Sequence, residues 1–324
     1  MSEKAKAICR FCGSEHSDSK FKAIDTFDTL YEIRQCAECR CWFLYPPPTE
    51  EQLSQAYNKA YYGAAEEKFT FFYVEKLLDL FRRRRAKKIV KLVPEHSSIL
   101  DIGCGNGDFL NYISKMGNYQ LYGIERDEIA SKRAALKTNI HLQSTALSET
   151  DFGENFFDII TLIHVFEHLW SPEQTLSIIS NILKPGGILI ITIPNIGSWQ
   201  AKLFKGNWLH LDPPRHLLFF EPNDLIRIMQ EKGFSLVKEQ YFSIEQNPFG
   251  VIQSLLNLVC KKREVLYERM KGNMHYAPEY GRFNVFVQKA FFMLHFPLFI
   301  ATDIIAALFK RSGTVKFTFK NTKS

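Results

Sequence analysis

Between residues 98 and 242 short apolar runs alternate with helical stretches, and this alternation constrains the fold more than any other feature of the chain. Apolar runs fall at 98–102, 121–125, 140–143, 157–163, 188–193 and 235–242, with helical periodicity between them and a helix at 223–232 closed by Gly233. A strand that rejoins its sheet after a helix must run parallel to the first, with helices covering both faces. The pattern therefore predicts an α/β, doubly wound, mostly parallel sheet. A strictly alternating run, Thr314-Val315-Lys316-Phe317-Thr318-Phe319-Lys320, supplies a seventh strand. Apolar content of 46% and a net charge of only +6 exclude a disordered chain.

Four cysteines precede this core as two pairs, Cys9-Arg-Phe-Cys12 and Cys36-Ala-Glu-Cys39, separated by the 23 residues from Gly13 to Gln35. Two such pairs joined by a hairpin read as a four-thiolate zinc site. Four thiolates leave the ion no open position, so the role is structural. Cys41 is a spare that could replace Cys39. The total of seven cysteines is odd, which argues against a secreted disulfide scaffold. The opening MSEKAKAICR has no apolar run with a small-residue cleavage site, so the expected address is the cytoplasm.

Tyr45-Pro46-Pro47-Pro48 forms a stiff turn, followed by an expected helix over 50–62 and a longer one over 66–93 that Pro94 stops. The second contains Arg82-Arg83-Arg84-Arg85-Ala86-Lys87-Lys88, either a solvated face or a patch for phosphate or anionic lipid. The expected organisation is a zinc knuckle region at 1–60, the core at 61–244, an apolar helical insertion at 245–312, and the closing strand and tail at 313–324.

The strongest chemical signal is Leu100-Asp101-Ile102-Gly103-Cys104-Gly105-Asn106-Gly107-Asp108. Glycines after a buried strand let the backbone turn sharply and approach a ligand. The dinucleotide fingerprint needs a glycine where Asp108 stands, which disfavours a nicotinamide carrier. A carboxylate at the strand end suits a ligand carrying an ammonium and a sulfonium.

Asp101-x-Gly-x-Gly-x-Gly107 resembles motif I of the class I S-adenosylmethionine (SAM)-dependent methyltransferases. Later elements agree in order: Glu125 closing the second strand, Phe157-Asp158-Ile159-Ile160 opening the fourth, and Leu183-Lys184-Pro185-Gly186-Gly187 before the fifth. The resemblance covers roughly residues 86–242 plus the closing strand. It implies a SAM site built from Asp101, Gly103, Cys104, Gly105 and Gly107, with Glu125 and Arg126 at the ribose, and Ile163 and His164 beyond the fourth strand. The family often carries an acid near the adenine; this chain has Ser144, Thr145 and Ala146, so the backbone of Thr145, Ala146 and Leu147 is expected to substitute. The paired cysteines, Trp42-Phe43-Leu44-Tyr45-Pro46 and a Tyr61-Tyr62 pair resemble zinc-containing methyltransferases of sugar and glycan biosynthesis.

Two histidine segments follow the fourth and fifth strands. His164-x-x-Glu167-His168 is similar to the acid-x-x-Glu-His of ubiquinone-pathway O-methyltransferases, which implies a divalent metal near Glu167 and His168, with His164 in place of the first acid. Alternatively, Glu167 and His168 cap the next helix. In Trp208-Leu209-His210-Leu211-Asp212-Pro213-Pro214-Arg215-His216, His216 is the general-base candidate, because imidazole titrates near neutrality. Arg215 could take a substrate phosphate or carboxylate, with Trp208 and Asp212 beside it. The bland alternative is a loop histidine that holds a lid closed.

Residues 290–309 form a 20-residue apolar stretch flanked by Lys289 and by Lys310-Arg311. Its length could cross a bilayer. His295, Pro297 and Asp303 argue against crossing, as does the need to return the closing strand to its sheet. A lid over the site, or an amphipathic surface lying on a membrane, remains. The expected activity is SAM-dependent methyl transfer to a hydroxyl of a small-molecule, sugar, glycan or lipid-linked acceptor, in the cytoplasm or peripheral on the inner face of the membrane. An RNA methyltransferase is the first rival. It is disfavoured because no Pro-Cys nucleophile or Asn-Pro-Pro-Tyr follows the fourth strand and the basic excess is small, so nucleic acid is not an expected partner. The second rival is a non-catalytic scaffold that retains the fold.

Overall fold

The computed structural model describes residues 6–57, 72–126, 128–137, 139–149, 152–273 and 275–323. The N-terminal region forms strands β1 (Ser17–Ile24), β2 (Leu30–Cys36) and β3 (Trp42–Tyr45), then helices α1 (Glu50–Ala56) and α2 (Phe72–Ile89). Thr49 and Gln52 close the start of α1 with a reciprocal capping box. The Tyr61-Tyr62 pair and the expected helical residues at 58–62 and 66–71 lie outside the described residues.

The core continues with β4 (Ser98–Ile102), α3 (Asp108–Ser114), β5 (Gln120–Ile124), α4 (Glu128–Ala135), β6 (His141–Gln143), β7 (Phe157–Ile163), α5 (Pro172–Ile182) and β8 (Leu183–Pro194). It proceeds through α6 (Trp199–Phe204), β9 (Leu218–Phe219), α7 (Pro222–Glu231) and β10 (Phe234–Gln240). Helices α8 (Asn247–Val259), α9 (Val265–Met270) and α10 (Arg282–Leu308) make up the insertion, and β11 (Thr314–Asn321) closes the chain.

Seven strands form the mostly parallel sheet in the order β10-β11-β8-β7-β4-β5-β6. Strands β4 to β8 pair parallel, while β11 runs antiparallel to both β8 and β10. Strands β5 and β6 extend the sheet one way from β4 and β8 extends it the other way from β7, so a crevice opens between the C-terminal ends of β4 and β7. The buried strand residues Ile159, Ile160, Leu162, Leu189 and Ile191 explain why β7 and β8 read as unbroken apolar runs.

Two boundaries differ from the expectation: α2 ends at Ile89, so Pro94 follows a short turn rather than stopping the helix itself, and the start of β8 lies earlier than its apolar run. Lys184-Pro185-Gly186-Gly187 lies inside β8 rather than between helix and strand. Leu183 pairs with Phe157 and Ile188 with Ile159, so four residues bulge out of register, and Gly186 supplies a left-handed turn at φ +75°.

The N-terminal strands form a second, antiparallel sheet in the order β1-β2-β3-β9. Its last strand comes from the loop after β8: Trp42 pairs with Phe219 and Phe43 with Leu218. The cysteine-bearing hairpin is thereby fastened to the same loop that carries His216.

Helices α8 and α10 pack together, and buried Asp303 of α10 accepts from Ser243 N at 3.2 Å and Asn247 Nδ2 at 3.1 Å. This anchors the helix to the core and explains an acid within an apolar stretch. By length and composition α10 could cross a membrane, yet it leads directly into β11, the sheet strand between β8 and β10. Its outward face stays uncovered, with Phe283 80%, Leu294 76% and Leu308 78% exposed.

Candidate active site

The turn after β4 forms one end of a cavity of about 1050 Å³. Gly103, Gly105 and Gly107 adopt φ +71°, +55° and +72°, a region that side chains with a Cβ avoid. Gly103 and Cys104 donate to the Ile124 carbonyl at 2.7 and 3.1 Å, which pins the turn against β5. A Cβ on Gly103 would lie 2.4 Å from Val165 Cγ2, whereas one on Gly105 would meet nothing within 4 Å. Gly105 thus faces open cavity, as a cradle for a bound molecule requires.

Asp101 is buried and accepts from the Thr161 hydroxyl. Burial pushes its carboxyl up to about 7, with Thr161 and Arg85 opposing that rise. The Glu125 carboxylate accepts from Gly105 N at 2.9 Å. Arg126, Ala146, Leu147, Ile163 and His164 also line the cavity, and Thr145 is exposed outside it.

At the other end the two histidine segments meet. Glu167 and His168 occupy a single tight turn, Phe166–His168, directly after β7. Leu217 N donates to the Glu167 carbonyl at 2.8 Å, which ties that turn to the loop after β8. His216 Nδ1–H donates to the His210 carbonyl at 2.8 Å, which leaves the Nε2 of a neutral ring with its lone pair free. That Nε2 lies 3.8 Å from Asp212 Oδ2 and 4.0 Å from Glu167 Oε1. The His168 and His216 rings meet edge to face at 4.6 Å. His168 Nδ1 is 2.9 Å from the Arg215 carbonyl and 3.0 Å from Tyr57 Oη.

His164 Nδ1 lies 3.3 Å from Glu167 Oε1, while Glu167 Oε2 is buried with no partner among the described residues. Burial pushes the Glu167 carboxyl up, but the facing His164, His216 and His168 outweigh it and the net direction is down. Burial, helped by His216, holds His168 down at about 4. Burial also holds His210 down at about 3, with His164 and His216 adding to it. His164 and Asp212 sit at φ +56° and +39°, backbone strain that the surrounding packing must hold in place. One ligand atom each from Glu167, His168 and His216 falls within 4.8 Å of the others, so the three could hold a divalent cation.

Arg215 is built into the scaffold. Its Nε donates to Asp212 Oδ2 at 2.9 Å and its Nη1 to the Ala56 carbonyl at 3.1 Å, with Nη2 on Asp212 Oδ1. Trp208 is fully buried, with Nε1 3.4 Å from Gln200 Oε1, behind the cavity wall rather than on it. The basic run divides. Arg82 and Arg85 line the cavity and Arg85 pairs with Glu245 at 3.0 Å, whereas Arg83 stacks over Tyr112. Tyr57, Phe249, Glu264 and Tyr267 complete the walls, and no sequence motif marked them.

The four predicted zinc ligands come together at the start of the second sheet. The Cys9 and Cys39 sulfurs are 3.6 Å apart, those of Cys12 and Cys36 3.5 Å, and all four lie within 4.8 Å of one another. Tetrahedral zinc thiolates place their sulfurs about 3.8 Å apart, so this set fits the ion. Cys41 is buried nearby and directs its thiol at the Trp42 carbonyl.

A seven-stranded sheet with antiparallel β11, and a glycine cradle facing an acid just past the end of the next strand, define the class I SAM-dependent methyltransferases. A methyltransferase-domain family model matches residues 73–239, just over half of the 324-residue chain, and the chain belongs to that family. Among its relatives, a mitochondrial ubiquinone biosynthesis O-methyltransferase of Dictyostelium discoideum is 27% identical over 142 residues, 39% of this chain and 44% of that protein. A ubiquinone biosynthesis O-methyltransferase of a Shewanella species is 23% identical over 162 residues, 46% of this chain and 67% of that protein. The chain thus spans less than half the length of the first of these. A solved structure from Galdieria sulphuraria, to which sarcosine dimethylglycine methyltransferase activity is ascribed, superposes with a TM-score of 0.51 at 14% identity. That match covers 83% of this chain and 98% of the other, and it supports the fold alone.

Proposed function

We propose that the chain moves a methyl group from SAM to a hydroxyl of a small-molecule acceptor held between the glycine cradle and the Glu167–His168–His216 cluster. The observation that carries this reading is the meeting of both histidine segments, around an unpartnered Glu167 oxygen, in the cavity that also contains Gly105. Asp101, Gly103, Cys104, Gly105, Gly107, Glu125, Arg126, Ala146, Leu147, Ile163 and His164 hold the cofactor; the exposed Thr145 is left out. SAM, when bound, supplies a methyl on a sulfonium, so the acceptor needs placement and loss of its proton rather than further activation.

His216 Nε2 takes that proton. The His210 carbonyl fixes the ring's tautomer, and Glu167, held ionised, faces the imidazolium that results. A second reading rests on the same three side chains. A divalent cation on Glu167, His168 and His216 would lower the pKa of a bound hydroxyl. The Arg215 and His210 carbonyls already orient the two rings for that role. The zinc on Cys9, Cys12, Cys36 and Cys39 is structural.

The uncovered face of α10 serves as a peripheral membrane contact that brings a lipid-linked or glycan-lipid acceptor to the cavity. Exposed Phe283, Phe286, Met293, Leu294, Leu298 and Leu308 carry no charge, and basic Lys310 and Arg311 follow at its end. Co-sedimentation with phosphatidylglycerol vesicles tests this. Binding should vanish in a Leu294→Glu/Leu298→Glu variant; a chain that never sediments would leave the insertion as a lid. Methyl-labelled SAM incubated with fractionated cell extract tests the reaction itself. Label should enter the small-molecule or lipid fraction, and label in RNA would overturn the reading.

A further inference from the structure

Glu264 stands at the start of α9, in the insertion, and its backbone is in the left-handed region at φ +59°. A β-carbon makes that conformation costly, so surrounding contacts must impose it. They come from several segments. Asn257 Oδ1 accepts from Glu264 N at 2.8 Å and from Gln253 Nε2 at 2.9 Å. The neighbouring Arg263 donates to the carbonyls of Ile24, Gly206 and Trp208, and Tyr276 Oη donates to the Arg263 carbonyl at 2.7 Å.

The carboxyl so positioned is only 2% exposed and lines the cavity beside Phe249, Tyr267 and Asp212. Its Oε1 lies 3.6 Å from Arg263 Nη2, but Oε2 has no hydrogen-bond partner among the described residues. A buried carboxyl oxygen without a partner destabilises the fold, and an insertion that only roofed the cavity would do better with an apolar residue there. The adjacent acid cannot share the task, because Asp212 is engaged by Arg215. Burial, reinforced by Asp212, lifts Glu264 to about 7, so near neutrality the oxygen can donate as well as accept.

We infer that Glu264 is the acceptor-recognition residue of this cavity: its unpartnered oxygen binds a hydroxyl of the acceptor other than the one methylated, so the acceptor class carries at least two hydroxyls. The inference rests on the methyl-transfer reading and deepens it. Glu264 positions the acceptor by hydrogen bonding and takes no part in the transfer. Two sources share this chemistry, a benzenediol and a sugar.

The test is calorimetric, on the full chain saturated with S-adenosylhomocysteine, with catechol, methyl glucoside and monohydroxylic phenol as probes. Catechol or the glucoside should bind, and which one binds identifies the source. Glu264→Ala should weaken that binding by about tenfold or more, while Glu264→Gln, which keeps a hydrogen-bonding group, stays within about threefold. S-adenosylhomocysteine affinity should be the same in all three chains, and any phenol binding should be indifferent to the substitution. Binding of neither catechol nor the glucoside by the loaded wild type, or equal binding by Glu264→Ala, would overturn the inference alone. Failure of S-adenosylhomocysteine itself to bind would instead overturn the methyl-transfer reading beneath it.

Discussion

The two ends of the cavity are built on different principles. The glycine cradle at one end comes from a short stretch, residues 101–107, pinned to a single partner strand. Its shape is a backbone property set by three positive φ angles and by hydrogen bonds to the Ile124 carbonyl. The acceptor end is assembled from side chains on α1, the turn after β7, the loop after β8, and α8 and α9. Local sequence suffices for the first, whereas tertiary packing has to create the second. Damage at the cofactor end should therefore be nearly complete and specific to one ligand, and damage at the acceptor end graded.

Gly105→Val gives the largest expected effect. Its side chain would fill the cradle and strain a residue at φ +55°, so SAM affinity should fall by more than about a hundredfold while the zinc content measured by elemental analysis stays at one per chain. Substantial SAM binding by that variant would break the contrast between the two ends. Next is His216→Ala, which should lower kcat by about 10²–10⁴ at unchanged SAM affinity, as loss of a general base does. Full activity would remove His216 from the reaction and favour a role in packing.

Smaller effects should arise outside the cavity. Cys36→Ser should release zinc and lower the melting temperature by roughly 5 °C or more, because the cysteine hairpin is fastened through β3 and β9 to the loop that carries His216. An unchanged melting curve would show the knuckle and the core to be independent.

The last effect is confined to acid pH. His210 is held neutral in the fold down to about 3, whereas in the unfolded chain it titrates near the ordinary imidazole value of 6.5. The unfolded state thus binds this proton first, so the contribution is complete above pH 6.5 and is lost as pH falls toward 3. The urea midpoint should decline over that window, with at most roughly 1.4 kcal/mol per pH unit from this residue, and His210→Asn should flatten the slope.

The difference in construction also decides what the sequence could reveal. The Gly-x-Gly-x-Gly turn, Glu125, and the alternation of strands and helices are local signals, and the core strands lie where those signals place them. The bulge at Lys184–Gly187 escaped because a proline-glycine run reads as a turn whether or not it remains paired in a sheet. The two-residue β9 is too short to carry periodicity, so the joining of Leu218 and Phe219 to Trp42 and Phe43 had no sequence signature.

At the acceptor end His164, Glu167, His168 and His216 stood out by residue type, yet nothing in their spacing required the two segments to meet. Arg215 had the chemistry of an anion binder, but contact with Asp212 and Ala56, more than 150 positions upstream, absorbs its donors. Glu264 is an unremarked acid in sequence. Only its burial, its backbone strain and an unpartnered oxygen set it apart.

The central claim is that residues 101–107 cradle a sulfonium cofactor at one end of a shared cavity. Calorimetric titration of the intact chain with SAM, run in parallel with NAD, tests it most directly. One SAM should bind per chain with a micromolar dissociation constant and no heat should accompany NAD; silence toward SAM at high micromolar concentration, or saturable binding of NAD, would contradict it.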